Sequence, residues 1–475
     1  MAFFEEPNSE DDWKFGQIRK EARYFEEKLR RGNSFFIDLY QLEDLFNFYY
    51  SEDALVKALN LLNFAIDQYP DNLDLLSKKI LVLQDLDRYE EALQLVDEAL
   101  KENPHSKKFS TLKASLLTDF GKHQEALETL RDAIAQTQAT TDTDELYSMM
   151  CDIAIENEDY QCALQLFQEK HSRGICIDQD IQEIAYCFQV TKQFKEGIIF
   201  LEKYLTGDPF SEDAWYHLGA LQYEVGDYHA SIRSLDFAID LKEDFPQAYF
   251  HKGNALLEIG RPQEALSILL EGIYYDKQNL LLLLSIGDCY NELKEFERAR
   301  YYYSKCIQQS ELVSDAWLGI AETLEMEEKY HEAGYYYKKT TEIAPDLAEA
   351  WFGLAICESE IGNEYSAFEA LKQALSLDIT NESFWRAWAE KLNGNGTTQR
   401  AITFLSEAIE LNPKSAGLLY QLAAYQFCMG QRTTAFINLE NALLLDYAQH
   451  TLVFYFCEHL KKDSDIHSII ELYAP

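Results

Sequence analysis

Positive charge is scarce in this sequence. Its 475 residues include 42 lysines and arginines against 82 aspartates and glutamates, which gives a formal net charge of −40. Nucleic acids and anionic lipid surfaces are bound through clustered Lys and Arg side chains, so a chain this acidic is poorly suited to either. We therefore expect no nucleic-acid partner.

The sequence also lacks a long apolar run. Its longest stretch of leucine, Leu280 to Leu284, is far shorter than the roughly 20 residues that a membrane-spanning helix needs. The first residues, MAFFEEPNSEDDW, carry acids where a secretion signal has a basic start and an apolar core. We expect no membrane insertion and no export by that route, and hence a cytoplasmic protein.

A strict period is what the sequence does have. Seven consecutive intervals of 34 residues separate eight anchors, four of which are tryptophan. Five further anchors extend the pattern upstream, with one step of 37 residues between Ser110 and Tyr147. A period of this length is typical of stacked helical hairpins, each of which buries its apolar face against its neighbours. From first to last, the anchors are Leu42, Leu76, Ser110, Tyr147, Ile181, Trp215, Tyr249, Leu283, Trp317, Trp351, Trp385, Leu419 and Val453.

Small and large residues recur with the same period. If each anchor is the fourth residue of a unit, residue 20 of every complete unit is Ala, Gly or Ser, and residue 24 is large and apolar or aromatic. This suits two packed helices, because a small residue admits the partner helix and a large one fills the gap. Five of the nine prolines fall at residue 32, between units, and none interrupts a predicted helix interior. The complete units begin at Leu39, Leu73, Lys107, Asp144, Asp178, Glu212, Pro246, Leu280, Ser314, Ala348, Glu382 and Ala416.

These residues resemble the tetratricopeptide repeat. Trp215 is followed by Leu218 and Gly219, as in that family, and the resemblance covers about residues 39–463. It implies an all-α, right-handed superhelical solenoid of about twelve 34-residue repeats with helical caps. For function it implies a surface that binds proteins or peptides. The unit from Glu382 matches the family through Trp385, Ala389, Ala401, Leu405, Ala408 and Pro413.

The repeats divide the chain into four predicted segments. Residues 1–38 hold an N-terminal capping helix, with Ile18, Ala22, Phe25 and Leu29 on one face and Gly32 as its stop signal. Repeats 1–3 occupy residues 39–143, repeats 4–12 occupy residues 144–449, and residues 450–475 form a partial repeat and C-terminal cap.

The single irregular step predicts a hinge. Its extra residues fall in the Thr-rich stretch from Ala135 to Thr143, and repeats 4 and 5 carry Lys170 and Tyr204 at a position that is usually small. Because each boundary in a linear array contributes separately to stability, we expect a weak interface there.

The resemblance also indicates which residues face inward. In this family, residues 2, 5, 9, 12 and 13 of each unit line the inner face, and here those sixty positions hold 18 acids and two bases. The same positions supply aromatic residues, among them Tyr420 and Phe427, and an apolar floor that includes Leu281. The candidate groove residues are Tyr186, Tyr216, Tyr223, Phe250, Asp288, Glu292, Glu322, Glu325 and Phe352.

We interpret the chain as a non-enzymatic scaffold or adaptor whose groove binds a basic, partly apolar peptide or protein, because acids steer the encounter and aromatics supply contact area. A less specific interpretation is that the aromatics pack between repeats and the acids only solvate the surface. A regulatory peptide sensor that changes superhelical pitch is the alternative function. We predict no catalytic residue, cofactor or metal, since even the stacked His217 and His251 lack a ligand pattern.

Two residue types were interpreted as structural. Tyr303 and Tyr337 stand where the family packs aromatics between helices, which leaves Tyr301 and Tyr335 for an outer surface. The nine cysteines form no CxxC pair, and Cys457 stands where other units carry Gly or Ala. We read the cysteines as small buried residues in a reducing compartment, with a redox role as the alternative.

Overall fold

The computed structural model describes residues 10–31, 35–136, 140–175, 177–394 and 396–474, and Gly32 lies outside them. These residues form α-helices joined by short turns and 3-10 segments, without a strand in any of the five described ranges. Over the same ranges, none of the helices is both long enough and apolar enough to cross a bilayer.

The chain divides into two compact units, Met1–Val225 and Gly226–Pro475. The described helices of the first unit are α1 (Glu10–Arg30), α2 (Leu39–Ser51), α3 (Leu55–Gln68), α4 (Leu73–Asp85), α5 (Tyr89–Glu102), α6 (Lys107–Asp119), α7 (His123–Gln136), α8 (Thr140–Glu156), α9 (Tyr160–Ser172), α10 (Ile181–Val190), α11 (Phe194–Gly207) and α12 (Glu212–Glu224).

The second unit continues the same helical pattern. Its described helices are α13 (Tyr228–Leu241), α14 (Pro246–Glu258), α15 (Pro262–Tyr275), α16 (Leu280–Glu292), α17 (Phe296–Gln309), α18 (Ser314–Met326), α19 (Tyr330–Ile343), α20 (Ala348–Ile361), α21 (Glu364–Leu377), α22 (Glu382–Gly394), α23 (Thr398–Leu411), α24 (Ala416–Cys428), α25 (Arg432–Leu445), α26 (Leu452–Phe456) and α27 (Ser464–Leu472).

The first helix of a repeat begins where the period places it. For example, α14, α16 and α18 start at Pro246, Leu280 and Ser314, the first residues of their predicted units. Proline suits a first helical turn because its missing N–H would be unpaired there. The Asn279 side chain caps α16 by accepting a hydrogen bond from the Leu282 backbone N–H at 3.2 Å. The predicted all-α array of 34-residue helical hairpins is therefore confirmed.

Small residues let the two helices of a repeat approach closely. Ala265 and Ala299, both at residue 20 of their units, are completely buried. Gly253 on α14 faces Leu269 on α15, and a Cβ on this glycine would lie 2.4 Å from the leucine side chain. The contact needs a residue without a side chain, because the interior is close-packed and has no room for another carbon.

The 37-residue interval between Ser110 and Tyr147 coincides with a longer helix. Helix α8 has 17 residues and begins at Thr140, four residues before the predicted unit start, so residues 140–143 belong to it. The first helix of the next repeat is divided into a 3-10 segment, Asp178–Asp180, and the short α10. Residues 137–139 lie outside the described part of the chain. The hinge predicted in this region stays a prediction.

Lys170 fills the usually small site of repeat 4 with a buried cation. Only 3% of its side chain is exposed, and its Nζ lies 2.9 Å from an Asp144 carboxylate oxygen and 2.7 Å from one of Asp180. It also donates a hydrogen bond to the Ser148 hydroxyl at 3.1 Å. These ion pairs and this hydrogen bond join α8, α9 and the 3-10 segment. Most other repeats have a small, closely packed residue at the position of Lys170.

The N-terminal helix packs on the first repeat. Ala22 and Phe25 on α1 are buried, and the Phe25 ring lies 5.6 Å from that of Phe64 on α3. The Tyr49 hydroxyl on α2 donates a hydrogen bond to the Ala22 carbonyl at 3.2 Å. The apolar face of α1 thus covers residues that would otherwise be the exposed end of the array.

Candidate functional site

The predicted groove residues fall in both compact units. Tyr186, Tyr216 and Tyr223 lie in the first unit, and the other six lie in the second. Tyr186 is 47% exposed, and its ring meets the Tyr160 ring edge-on at 5.8 Å. Tyr216 is half-buried, burial raises the pKa of its hydroxyl, and its ring lies 4.9 Å from that of His217. These three tyrosines are therefore described with the first unit, and the acidic residues of repeats 8 and 9 with the second.

In the second unit the inner-face positions meet at a cavity of about 450 Å³. Five lining residues represent all five of the family's inner positions: Glu349 (residue 2 of its repeat), Phe352 (5), Glu322 (9), Glu325 (12) and Glu292 (13). They come from α16, α18 and α20, the first helices of three consecutive repeats. The structure thus brings four of the predicted groove residues together, and we call this space the acidic cavity. Its other lining residues are Asn291, Lys294, Met326, Tyr337, Gly353 and Phe384.

Glu322 lies partly enclosed among other carboxylates of the cavity. Burial raises the pKa of Glu322 to about 7, with further contributions from the neighbouring Asp288, Glu325 and Glu349. The Glu322 side chain reaches solvent, but it does so from inside a cavity where protein surrounds it on several sides. Both burial and like charge disfavour the ionised form. The cavity therefore holds carboxylates that an incoming cation would stabilise.

Asp288 belongs to the same electrostatic cluster. Burial raises the pKa of its carboxyl to about 6, the negative charges of Asp315 and Glu292 raise it further, and a hydrogen bond from Tyr303 opposes both effects. The Tyr303 hydroxyl donates this bond to Asp288 Oδ1 at 2.7 Å. In the neighbouring repeat the equivalent tyrosine, Tyr337, donates to Glu325 Oε2, at residue 12 of its repeat, whereas Asp288 is residue 9 of its own.

The two tyrosine rings reach the carboxylates by passing between helices. Tyr303 and Tyr337 stand on the second helices α17 and α19 and are almost fully buried. A Cβ on Gly319 would lie 2.5 Å from the Tyr303 ring, and one on Gly353 would lie 2.3 Å from the Tyr337 ring. Each ring therefore packs against the first helix of the following repeat, and only a glycine leaves the space that it occupies.

Sequence reasoning missed this role of the tyrosines. The sequence predicts core packing for Tyr303 and Tyr337, which is correct for their rings but omits the hydroxyl groups that hold the groove carboxylates. The sequence does contain a signal for the ring packing, because glycine occupies residue 6 only in the repeats that hold Gly319 and Gly353. Those two repeats directly follow the two that carry tyrosine at residue 24.

An aromatic pair forms the apolar wall of the acidic cavity. The rings of Phe352 and Phe384 are stacked, with centroids 4.5 Å apart and planes 15° from parallel. Phe250, three repeats before Phe352, is half-buried, and its ring centroid lies 5.2 Å from that of His251. Leu281 is 54% exposed. The inner face of the second unit therefore combines carboxylates with apolar surface.

The open inner face ends before repeat 12. Tyr420 and Phe427, predicted to line the groove, are buried, so their assignment to an open surface is wrong. They are covered because residues of the C-terminal cap pack in the same apolar cluster, among them Val453 and Ile466.

Two cysteines also depart from the prediction. Cys428 and Cys457 are joined by a disulfide, whereas all cysteines were expected to be unpaired. Helix α26 ends at Phe456, so Cys457 lies in extended backbone beyond it and not inside a first helix, where the repeat register would have placed it. The described free cysteines are Cys151, Cys162, Cys187, Cys289, Cys306 and Cys357.

Nothing in the described side chains resembles a metal site: no group of three or more His, Cys, Asp or Glu residues among them is arranged to hold an ion. Burial lowers the pKa of His251, which keeps its ring neutral near pH 7. The chemistry available at the inner face is therefore that of carboxylates, tyrosine hydroxyls and aromatic rings.

Comparison with known families gives two matches. Residues 190–451, more than half of the chain, match the family described as the C-terminal domain of cilia and flagella-associated protein 70. Residues 49–116 and 83–150 match the tetratricopeptide repeat. No curated protein matches the chain.

Several solved structures are similar to parts of the chain. Yeast Tom70 is 14% identical, with 90% of this chain and 98% of that one covered and a TM-score of 0.44. PilW, described as a widely conserved type IV pilus biogenesis factor, is 18% identical, with 45% and 98% covered and a TM-score of 0.42. A monomeric mutant of IFIT1 with Gppp-AAAA is 14% identical, with 78% and 91% covered and a TM-score of 0.45.

Proposed function

This chain belongs to the family of the C-terminal domain of cilia and flagella-associated protein 70, a tetratricopeptide-repeat family, and from that premise we propose that it is a non-enzymatic interaction scaffold or adaptor. The acidic cavity is its binding site, and the partner is a protein or peptide with basic and apolar side chains. The observation that carries this proposal is the meeting of Glu292, Glu322 and Glu349 with the stacked Phe352 and Phe384 in one cavity.

The carboxylates supply selectivity for a basic partner. Glu322 and Asp288 have raised pKa values because each is partly buried beside other acids, and a Lys or Arg side chain in the cavity would reverse that effect. Charges of this kind steer the encounter and exclude acidic partners more than they add to affinity. A nucleic acid is excluded from the proposal on the same ground, since its phosphates would meet the same carboxylates.

The aromatic wall supplies contact area. An aromatic or aliphatic side chain can pack on the Phe352–Phe384 pair, and a cation over such a ring gains roughly 0.5–2 kcal/mol. A segment with a basic residue followed by an apolar one would use both parts of the cavity.

Binding of short labelled peptides to the full chain, measured by fluorescence anisotropy, tests the proposal. A peptide of alternating Arg and Phe or Leu is expected to bind, and a matched peptide with Glu in place of Arg is expected not to bind. The double variant Glu322→Gln, Glu349→Gln is expected to weaken binding about tenfold, or ~1.4 kcal/mol. Glu297→Gln, on exposed surface of α17, is the control. Tighter binding of the Glu peptide would overturn the proposal.

The alternative function, a regulatory sensor, has a different signature. A sensor changes superhelical pitch when its peptide binds, so small-angle scattering would show a change in maximum dimension on addition of the Arg peptide. A scaffold binds with little change in backbone position. An unchanged scattering profile at saturating peptide therefore supports the scaffold.

A further inference from the structure

The inner face of repeat 12 differs from that of the preceding repeats. Its inner positions on α24 are Gly417, Tyr420, Ala424, Phe427 and Cys428, and none of them is an acid. The first four are buried, with Tyr420 and Ala424 completely inaccessible to solvent. In contrast, the inner positions of repeats 8–10 include the exposed Glu292 and Glu322. An apolar inner surface is therefore present at this end of the array, and something covers it.

The covering residues belong to the C-terminal cap, which we define as residues 450–474. Val453, Leu460, Ile466 and Ile470 form one apolar cluster with Tyr420, Ala424 and Phe427. Their side chains are buried in this cluster. Within the cap, α26 packs on α24 and α27 packs on α25. It is therefore through α26 that the cap covers the inner surface of α24, in the way that a bound apolar segment would.

The cap also reaches back beyond repeat 12. The Phe456 ring lies 5.3 Å from the Arg386 guanidinium, and Arg386 is an inner-face residue of repeat 11. The same ring lies 6.0 Å from that of Tyr425 on α24. A segment that only continued the repeat stack would contact its direct neighbour. Phe456 therefore crosses part of the inner face of repeat 11.

Ion pairs and a disulfide hold the cap against repeat 12. Arg432 on α25 forms ion pairs with Asp463 at 2.7 Å and with Asp465 at 2.9 Å, at the start of α27. The disulfide joins Cys428, the last residue of α24, to Cys457 between α26 and the following 3-10 segment. Cys428 is exposed to solvent, whereas Cys457 is buried. A reductant can therefore approach the disulfide from the Cys428 side.

We propose that the C-terminal cap is an internal ligand of the inner face of repeats 11 and 12, and that reduction of the Cys428–Cys457 disulfide releases this surface for an apolar helix of a partner protein. The surface differs from the acidic cavity in position and chemistry. Its partner presents aliphatic and aromatic side chains, as Val453, Phe456 and Ile466 do now. The inference does not depend on the acidic cavity binding anything.

The release step requires a two-electron reductant, and a dithiol is the class that we propose. One of its thiolates attacks Cys428 Sγ, the sulfur–sulfur bond breaks, and Cys457 leaves as a thiolate that takes up a proton. The second thiol of the reductant then displaces Cys428 from the mixed disulfide. The reductant ends as a disulfide and the chain as two thiols. The Arg432 ion pairs and the apolar contacts then hold the cap alone, so it opens more often.

Hydrogen exchange on the full chain tests the release. The backbone amides of α24 are expected to exchange more slowly in the oxidised chain than after treatment with tris(2-carboxyethyl)phosphine, by about tenfold or more. The double variant Cys428→Ser, Cys457→Ser is expected to match the reduced chain with and without the phosphine. Amides of α16, far from the cap in sequence, serve as the internal reference. Equal protection of α24 in both states would overturn the proposal.

A peptide added in trans tests the vacated surface. The probe is a fluorescein-labelled peptide with the sequence of residues 450–474 and serines in place of its cysteine. It is expected to bind the reduced Arg432→Glu chain, in which the ion pairs with Asp463 and Asp465 are replaced by repulsion, at least tenfold more tightly than the oxidised wild type. A linked cap competes at an effective concentration of about a millimolar, which is why the ion pairs are removed.

Two outcomes of the peptide experiment contradict the proposal. If α24 loses protection on reduction but no peptide binds the Arg432→Glu chain, the cap is only a structural end of the array. If far-ultraviolet circular dichroism shows that reduction unfolds the last repeats, no binding surface is released. Retained helix content together with peptide binding supports the proposal.

Discussion

The Tyr337 hydroxyl donates a hydrogen bond to the Glu325 carboxylate, although the tyrosine belongs to the second helix of the repeat and the glutamate belongs to the first. The Tyr337 ring packs against the first helix of the next repeat, in the space left by Gly353. One side chain therefore connects the packing of the array to the chemistry of its inner face.

Replacing this hydroxyl should change the acidity of the groove. In Tyr337→Phe, we expect the pKa of Glu325 to rise, because the hydrogen bond that favours its ionised form is lost while burial still disfavours it. Stability should fall by roughly 0.5–1.5 kcal/mol. Carboxylate titration by NMR and urea unfolding measure the two effects. Tyr335→Phe, an exposed tyrosine on the same helix, is the control and should change neither.

The glycine opposite the ring should be intolerant of a methyl group. In Gly353→Ala the new Cβ would lie 2.3 Å from the Tyr337 ring, so we expect a loss of roughly 1–3 kcal/mol from overpacking. Adding Tyr337→Leu, the residue type found at this position in several other repeats, should recover part of that loss. Gly394→Ala is the control, since a Cβ there meets no atom within 4 Å. Equal effects of the two alanines on the unfolding midpoint would contradict the explanation.

The sequence predicted the helices better than the chemistry of the site. Helix starts such as Leu280 follow from a period that every repeat shares, so many residues contribute to one prediction. The acidic cavity depends on which positions of α16, α18 and α20 meet, and the family resemblance supplied those positions. The bond from Tyr303 to Asp288 links a core position to a surface position of the same repeat. No periodic pattern treats those two positions as a pair.

At the C-terminal cap, the sequence predicted an open surface that the structure does not have. Tyr420 and Phe427 occupy inner positions by the period, but they are covered by residues such as Val453, which belongs to the incomplete last repeat. The period predicts the same surroundings for every inner position. This prediction is wrong for repeat 12, because the hairpin that follows it is incomplete.

The acidic cavity should make both stability and binding depend on pH. The pKa of Glu322 is raised to about 7 in the folded chain. At pH values between the ordinary pKa of a glutamate and about 7, the folded chain therefore binds more protons than the unfolded chain. Stability therefore falls as pH rises through this range, and Glu322→Gln should show a flatter dependence in urea unfolding. A steeper dependence in the variant would exclude Glu322 as a source of the effect.

Binding should respond to pH with the opposite sign. The carboxylates of Glu322 and Asp288 attract a cation only when ionised, and their pKa values are about 7 and about 6. The affinity of the Arg peptide described above should therefore decrease as the pH is lowered from about 8 to about 5. Titrations of the peptide at several pH values measure this, with a peptide that lacks charge as the control.

Lys170 should contribute to the stability of the first unit. We expect Lys170→Ala to destabilise the unit by about 1–3 kcal/mol, because Asp180 loses its cation at a mostly buried site, whereas the half-exposed Asp144 can be solvated by water. Lys195→Ala, an exposed lysine on α11, should change the unfolding free energy by less than about 0.5 kcal/mol. A small effect of Lys170→Ala would show that water reaches the two carboxylates when the lysine is absent.

Every residue of α24 from Ala416 to Phe427 is buried, and this has a consequence for assembly. Repeat arrays can in principle polymerise, because the last hairpin of one chain offers the same kind of apolar surface that the first hairpin of another would cover. With α24 enclosed by the cap, the apolar surface of this helix is not available for such a contact. The disulfide that holds the cap in place would therefore also help to keep α24 from pairing with a hairpin of another chain.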